Sequence, residues 1–256
     1  MGNLTGKAAL VTGASRGIGR AIARRLAADG ALVAVHYATN DAAAEATLAS
    51  IEAANGRAFL VRAEFGLESD DEVETLFSGL AEGLDGRPLD ILVNNAAIGH
   101  TGSIESATRE EFDHVFAVNV RAPFFIIQRA LPLINDGGRV INISSSVTRI
   151  AVSHELVYGM AKGALDILGR TLAHSLGARN ITVNSVAAGV TDTDMIAMLR
   201  RNPEVMAGVA AATALGRIGD PADISDIVAF LASDDARWVT GHVVDATGGM
   251  CLGLGI

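Results

Sequence analysis

Tyr158-Gly159-Met160-Ala161-Lys162 places a phenol and an ammonium four residues apart, with Ser145 thirteen positions earlier. On a helix that spacing puts both side chains on one face. A phenol with a pKa of about 10 exchanges protons poorly at neutral pH, and an acid–base catalyst works best with a pKa near the operating pH. Two unit charges at about 4–5 Å in an effective dielectric of about 20 interact by about 3–4 kcal/mol, and one pKa unit corresponds to about 1.4 kcal/mol. Lys162 beneath the phenol is therefore expected to lower its pKa by about 2–3. A tyrosine and a lysine at this spacing also occur on many ordinary helix surfaces, so the pair gains meaning only from the elements that position it.

Those elements follow in order. Ala8–Val11 is a short apolar run ending at Thr12-Gly13-Ala14-Ser15-Arg16-Gly17-Ile18-Gly19, which passes into a helical pattern through Asp29-Gly30. Strand, glycine turn and helix in that order form a cradle for a pyrophosphate, because glycines let the backbone come close and the helix's free N–H groups face the anion. The spacing Gly13-x3-Gly17-x-Gly19 is looser than the usual dinucleotide fingerprint. A second strand, Ala31–Tyr37, follows. An acid at its end would hold a ribose 2′-hydroxyl, whereas a 2′-phosphate calls for a cation. Here Tyr37, Ala38 and Thr39 follow the strand and Arg16 sits in the glycine turn, which favours NADP(H) over NAD(H); Asp41 nearby keeps NAD(H) open.

A helix over 41–54, a strand over 57–62 ending at Glu64-Phe65, and a charged helix over 69–84 come next. Ile91–Val93 makes a fourth strand running into Asn94-Asn95-Ala96-Ala97. Residues 108–134 have a helical pattern with Pro123 inside, which predicts a break between Asn119 and Pro123. Arg139–Ile143 is a fifth strand carrying Ser144, Ser145 and Ser146 at its end; Ile181–Val186 is a sixth and His242–Asp245 a seventh. The alternation predicts one α/β domain spanning residues 1–256, a doubly wound parallel sheet of about seven strands with helices on both faces. In such sheets ligands bind beyond the carboxyl ends of the strands, where each of these stretches lies.

The bulk numbers narrow the partners. A formal charge of −9 and an aromatic content of 4% argue against a nucleic acid or an anionic membrane surface. Cys251 is the only cysteine, the six histidines are scattered, and no pattern matches a metal site or a secretory leader, so a cytoplasmic, metal-free protein is expected. Trp238 is expected to pack near the last strand and His154 to lie in an exposed loop. Residues 190–212, rich in Ala, Met and Val, are expected to form a mobile lid, or an ordinary helix pair. The apolar tail Met250-Cys251-Leu252-Gly253-Leu254 suits an interface between copies.

Over essentially its whole length the chain resembles the short-chain dehydrogenase/reductase family. Thr12-Gly13-x3-Gly17-x-Gly19, Asn94-Asn95-Ala96, Asn119, Ser145, Tyr158-x3-Lys162 and Gly189 through Thr193 carry the likeness. Thr12 through Gly19 and the segment Phe230-Leu231-Ala232-Ser233-Asp234 are most similar to 3-oxoacyl-[acyl-carrier-protein] reductases and related ketoreductases. The resemblance implies a Rossmann-type fold and hydride transfer between a nicotinamide and a carbonyl. Ser145 would hold the carbonyl oxygen and Tyr158 would exchange its proton. Lys162 would also bond the nicotinamide ribose, and Asn119 would hold a water leading from Lys162 to solvent. For the cofactor it implies Gly13, Ser15, Arg16 and Ile18 at the phosphates and adenosine, with Gly17 and Gly19 clearing space. Tyr37 would mark the ribose end, Glu64 and Phe65 the adenine. Asn95, Ala96 and Ala97 would flank the ribose, with Gly189, Thr191 and Thr193 near the carboxamide. It also implies a homotetramer.

Three departures stand out. Ala97 replaces a customary glycine, Ala188 replaces a proline and is expected to loosen the turn behind the nicotinamide, and Asn135-Asp136-Gly137 is acidic where a carrier-protein docking face is basic. The leading expectation is an NADP(H)-dependent ketoreductase of a 3-oxoacyl or polyketide-like carbonyl, free or thioester-bound, with an acyl carrier protein as a less favoured partner. A secondary-alcohol or sugar dehydrogenase, and a non-catalytic NADP-binding regulatory protein, are the alternatives.

Overall fold

A computed structural model describes residues 3–66, 71–99 and 101–252. Seven parallel strands form one sheet in the order β3-β2-β1-β4-β5-β6-β7: β1 (Ala8–Val11), β2 (Leu32–Tyr37), β3 (Arg57–Arg62), β4 (Leu89–Asn94), β5 (Ile134–Ser145), β6 (Thr182–Ala188) and β7 (Val243–Ala246). The order reverses between β1 and β4, and the crevice above that switch is where a doubly wound sheet takes its ligand.

Alternation along the strands builds two cores. Ala9 and Val11 pack on one face with α1 (Gly17–Ala28), α2 (Asp41–Glu52) and α8 (Pro221–Ala232). Ala8 and Leu10 face the other side, under α3 (Asp71–Leu84), α5 (Ala122–Ala130) and α6 (Leu156–Leu176). Strands buried on both faces read as continuous apolar runs, which is why they stand out in the sequence.

The elements fall close to expectation, with informative differences. The expected start of α3 at 69 lies outside the described residues, as do His100 and the tail from 253. β5 begins at Ile134, five residues earlier than expected, because Leu89 pairs with Ile134 before the register shifts to Ile91 opposite Arg139; Gly137, at φ +80°, sits in the extra loop. Residues 108–134 are two helices, α4 (Arg109–Phe116) and α5, joined by a π-helical turn over Ala117–Arg121. Pro123 has no N–H to offer the carbonyl of Asn119 four residues before it, and the wider turn absorbs that missing bond. α7 (Pro203–Ala211) contains no buried residue.

Two expectations are corrected. Trp238 is 94% exposed and does not pack beside the last strand. Ala188 does not loosen its turn: it is buried, paired to Ser145 on one side and Ala246 on the other, and the Gly189 N–H donates to the Ala246 carbonyl at 3.2 Å. Among the described residues, no helix is long and apolar enough to cross a membrane.

Candidate active site

The glycine turn between β1 and α1 is shaped for close backbone approach. Gly13 (φ +63°) and Gly17 (φ +55°) lie in the left-handed region, and a Cβ on Gly13 would stand 2.8 Å from the Ala96 backbone. A Cβ on Gly19 would run into the Gly13 carbonyl and the Asn95 amide, so Gly19 lets the helix close onto the turn. The Thr12 hydroxyl accepts from the Asn95 and Ala96 N–H groups at 2.9 and 3.0 Å, while the Asn95 amide donates to the Thr12 and Gly13 carbonyls at 2.8 and 3.1 Å. Asn95 and Ala96 are thus bonded to the turn itself, with Ala97 just beyond. Arg20 and Thr47 hold the Ser15 carbonyl, and Ile18 packs on the core. The first turn of α1 carries neither a side-chain cap nor an acid, unlike α2, α4 and α8, each capped by its own Asn, Thr or Asp. Free N–H groups above a glycine cradle fit a pyrophosphate.

At the adenosine end, Asp41 is already engaged: the Tyr37 hydroxyl donates to it and Arg62 lies 3.8 Å away. With those neighbours the carboxylate is less free to hold a ribose hydroxyl. Arg16 is two-thirds exposed and, among the described residues, pairs with Asp194 at 3.6 Å, a loose contact that leaves it available to a phosphate. Glu64 is exposed. Phe65 is buried and stacks on His36 with ring centroids 4.5 Å apart, so it forms a wall with one face already covered.

Ser145, Tyr158 and Lys162 come together past the end of β5, and Asn119 lies in the π-helical turn that packs against α6. Ser144 and Ser146 point into the core and are buried, whereas Ser145, on the opposite side of the strand, is only part-buried and hydrogen-bonds the Tyr158 hydroxyl. The Lys162 ammonium lies 5.6 Å from the centre of the Tyr158 ring, as the four-residue spacing requires, and donates to the Ile143 carbonyl at 2.7 Å. Gly159 lies over Val147, letting the start of α6 approach the loop after β5.

The electrostatics correct one expectation. The tyrosine pKa is not depressed: burial pushes it up to about 12, Glu155 adds to the rise, and the hydrogen bond with Ser145 offsets part of it. Burial lowers Lys162 to about 8, with Asp166 one helical turn further on opposing the drop. In a uniform dielectric the ammonium would lower the phenol; packing under the loop after β5 makes desolvation the larger effect on both groups.

Asn119 lies in the π-helical turn, fully buried. Both ends of its side-chain amide are committed to Ile98, accepting from its N–H and donating to its carbonyl, each at 2.9 Å. The side-chain amide of Asn119 is therefore already occupied at both ends. Across the crevice, a Cβ on Gly189 would stand 2.9 Å from Thr247; the Thr191 hydroxyl donates to the Gly189 carbonyl at 3.0 Å and that of Thr193 to the Thr191 carbonyl at 3.4 Å. Thr193 also packs over Gly17, bringing this loop onto the glycine turn. His154 is exposed and meets Gly102 through its backbone carbonyl.

A residue that motif reading passes over is His36, which bonds the glycine turn directly. Nothing in the order of residue types marks it, since its partners arrive from β1 and from the end of β3.

A doubly wound sheet with a phosphate cradle at its switch point and a Ser-Tyr-Lys group beside it defines a dinucleotide-dependent oxidoreductase. The chain belongs to the short-chain dehydrogenase/reductase family and is an NAD(P)-dependent enzyme acting on carbonyl and alcohol groups. The family model described as Enoyl-(Acyl carrier protein) reductase matches residues 13–251. The crystal structure of the angucycline C-6 ketoreductase LanV with bound NADP is 54% identical, with a TM-score of 0.94 and 98% of each chain covered. LanV with NADP and rabelomycin is 52% identical, with a TM-score of 0.90 over 98% of this chain and 99% of that one. Versicolorin reductase stcU of Emericella nidulans is 38% identical over 96% of each chain.

Proposed function

We propose that this protein is an NADP(H)-dependent ketoreductase of polyketide-like ketones. The observation that carries the reading is the convergence of Ser145, Tyr158 and Lys162 beside the glycine cradle. A bound nicotinamide supplies the hydride. Ser145 hydrogen-bonds the substrate carbonyl oxygen, where negative charge grows, and Tyr158, protonated at neutral pH, gives that oxygen its proton. Lys162 supplies a buried positive charge beside the phenol and hydroxyl-binding capacity for the cofactor ribose. The phenolate left on Tyr158 regains its proton from Lys162, and a water held by the main-chain carbonyl of Asn119 returns one from solvent to Lys162. Residues 190–212 cover the substrate, in keeping with their lack of buried anchors over 194–211.

The polyketide class rests on the relatives, among them one with rabelomycin bound and a versicolorin reductase. A carrier-protein partner is disfavoured: Arg179, a cation that could serve docking, is tied to Asp136 at 2.7 Å and to the Leu131 carbonyl at 2.9 Å. A homotetramer is supported by the apolar side chains left exposed on α5 and α6, namely Phe124, Phe125, Met160 and Ile167.

The test is NADPH oxidation across polycyclic aromatic ketones, β-ketoacyl thioesters and enoyl thioesters. The polycyclic ketones are expected to give the highest kcat/KM; turnover confined to enoyl thioesters would overturn the reading. For the cofactor, Arg16→Ala is expected to weaken NADPH by about 10–100-fold, the worth of a charge-assisted hydrogen bond, and to leave NADH nearly unchanged. Equal losses for both dinucleotides would remove Arg16 from the 2′-phosphate.

A further inference from the structure

His36 is the last residue but one of β2, 1% exposed, and both ring nitrogens are used. Nδ1 lies 2.9 Å from the Gly13 nitrogen and Nε2 lies 2.9 Å from the Ala63 carbonyl oxygen. The partners fix the roles. An N–H can only donate, so Nδ1 must carry a lone pair; a carbonyl can only accept, so Nε2 must carry the proton. This is the neutral ring in a single tautomer. Burial is consistent with it, since the imidazole pKa is pushed down to about 4, the bond to Ala63 opposing the drop.

Three segments meet on this one side chain. Gly13 opens the phosphate turn in a left-handed conformation, and the neighbouring Ala14 N–H is held by the His36 main-chain carbonyl at 2.7 Å. Ala63 directly follows β3, and two residues on Phe65 stacks flat on the imidazole, with an interplanar angle of 12°. His36 therefore occupies the first two amides of the turn and leaves the later ones, through the uncapped start of α1, to face an anion. It also joins the phosphate end of the crevice to the wall on the β3 side.

We infer that His36 is a positioning residue for the dinucleotide, its Nδ1 fixing the Gly13 amide and hence the curvature of the phosphate turn. The inference rests on the dinucleotide-dependent reading of the site and says nothing of the carbonyl substrate. It predicts a split between two variants, one keeping the ring and one keeping the acceptor. In His36→Phe an aromatic ring can still stack on Phe65, but the Gly13 N–H loses its acceptor. In His36→Asn the side-chain oxygen stands near the position of Nδ1, so the acceptor returns although the ring is gone.

The experiment is fluorescence titration of the folded variants with NADPH and NADH, with kcat measured at saturating NADPH. His36→Phe is expected to raise the Kd of both dinucleotides about tenfold, with kcat within about twofold of wild type and His36→Asn recovering most of the affinity. A merely structural histidine would lower the melting temperature of both variants without moving Kd. Overturning results are a His36→Phe Kd close to wild type, or His36→Asn as weak as His36→Phe. Should His36→Phe not fold, the ¹⁵N spectrum of the wild-type ring decides: a proton on Nε2 with Nδ1 bare supports the inference, and a proton on Nδ1 overturns it. A wild-type protein that bound neither dinucleotide would defeat the cofactor reading itself, and this inference with it.

Discussion

Tyr158→Phe is expected to bind NADPH as the wild type does and to lose about 10²–10⁴-fold in kcat, the range over which a positioned general acid contributes. The substitution keeps the ring that packs at the start of α6 and removes one oxygen. That oxygen stands beside Ser145 and is the general acid of the proposed mechanism, whereas the Ser145 hydroxyl, a far weaker acid, only hydrogen-bonds the reacting oxygen. With the phenol raised to about 12, it stays protonated throughout the neutral range, which suits the reductive direction. In the oxidative direction the same pKa is a handicap, because a base must first lose its proton. Single-turnover NADPH consumption with a verified ketone measures the effect. A near-normal rate would show that the proton comes from elsewhere.

The second large effect concerns Lys162. Lys162→Met is expected to lower kcat by about 10²–10³-fold, comparable to losing one preorganised electrostatic contact in an active site. It should also abolish the alkaline limb of the pH–rate profile. Tyr158 titrates too high to account for such a limb, whereas Lys162, held near 8, loses its charge just above neutrality. Wild-type kcat/KM should therefore fall with a midpoint near pH 8. The sign of the stability effect runs opposite to that of an ordinary salt-bridged lysine. The folded-state pKa, about 8, lies below the ordinary 10.5, so between those values the unfolded chain holds more protons and stability rises with pH. A neutral methionine has no such dependence and should not be less stable at neutral pH, since a buried charge has been replaced by an apolar chain. Thermal melts of both proteins at pH 7 and pH 9.5 check this, and a marked loss of stability in the variant would make its lost activity uninformative about charge.

Much of this site is visible in the sequence because its parts are local. The Tyr158–Lys162 face follows from helical spacing, the cradle from glycines between a strand and a helix, and the break near Asn119 from Pro123. Ser145 needed the family's spacing to be chosen from three serines, and the strand's alternation then explains why its two neighbours are buried. Properties set by distant segments were not legible. The pKa of Tyr158 depends on how deeply α6 is packed beneath the loop after β5, and a pairwise Coulomb estimate has no access to that burial. His36 looks like one of six scattered histidines until β1 and the end of β3 are brought to its two nitrogens. The commitment of the Asn119 amide to Ile98 is hidden for the same reason, as is the exposure of Trp238.

The most direct test follows the transferred atom. NADPH carrying deuterium in both C4 positions is supplied with a polycyclic aromatic ketone, and the product is examined for the position of the label. Deuterium on the new carbinol carbon, at a rate that collapses in Tyr158→Phe, is the result expected of Ser145, Tyr158 and Lys162 acting on a carbonyl. Deuterium on a carbon that had belonged to a C=C bond, or no label in the product while NADPH is consumed, would contradict it.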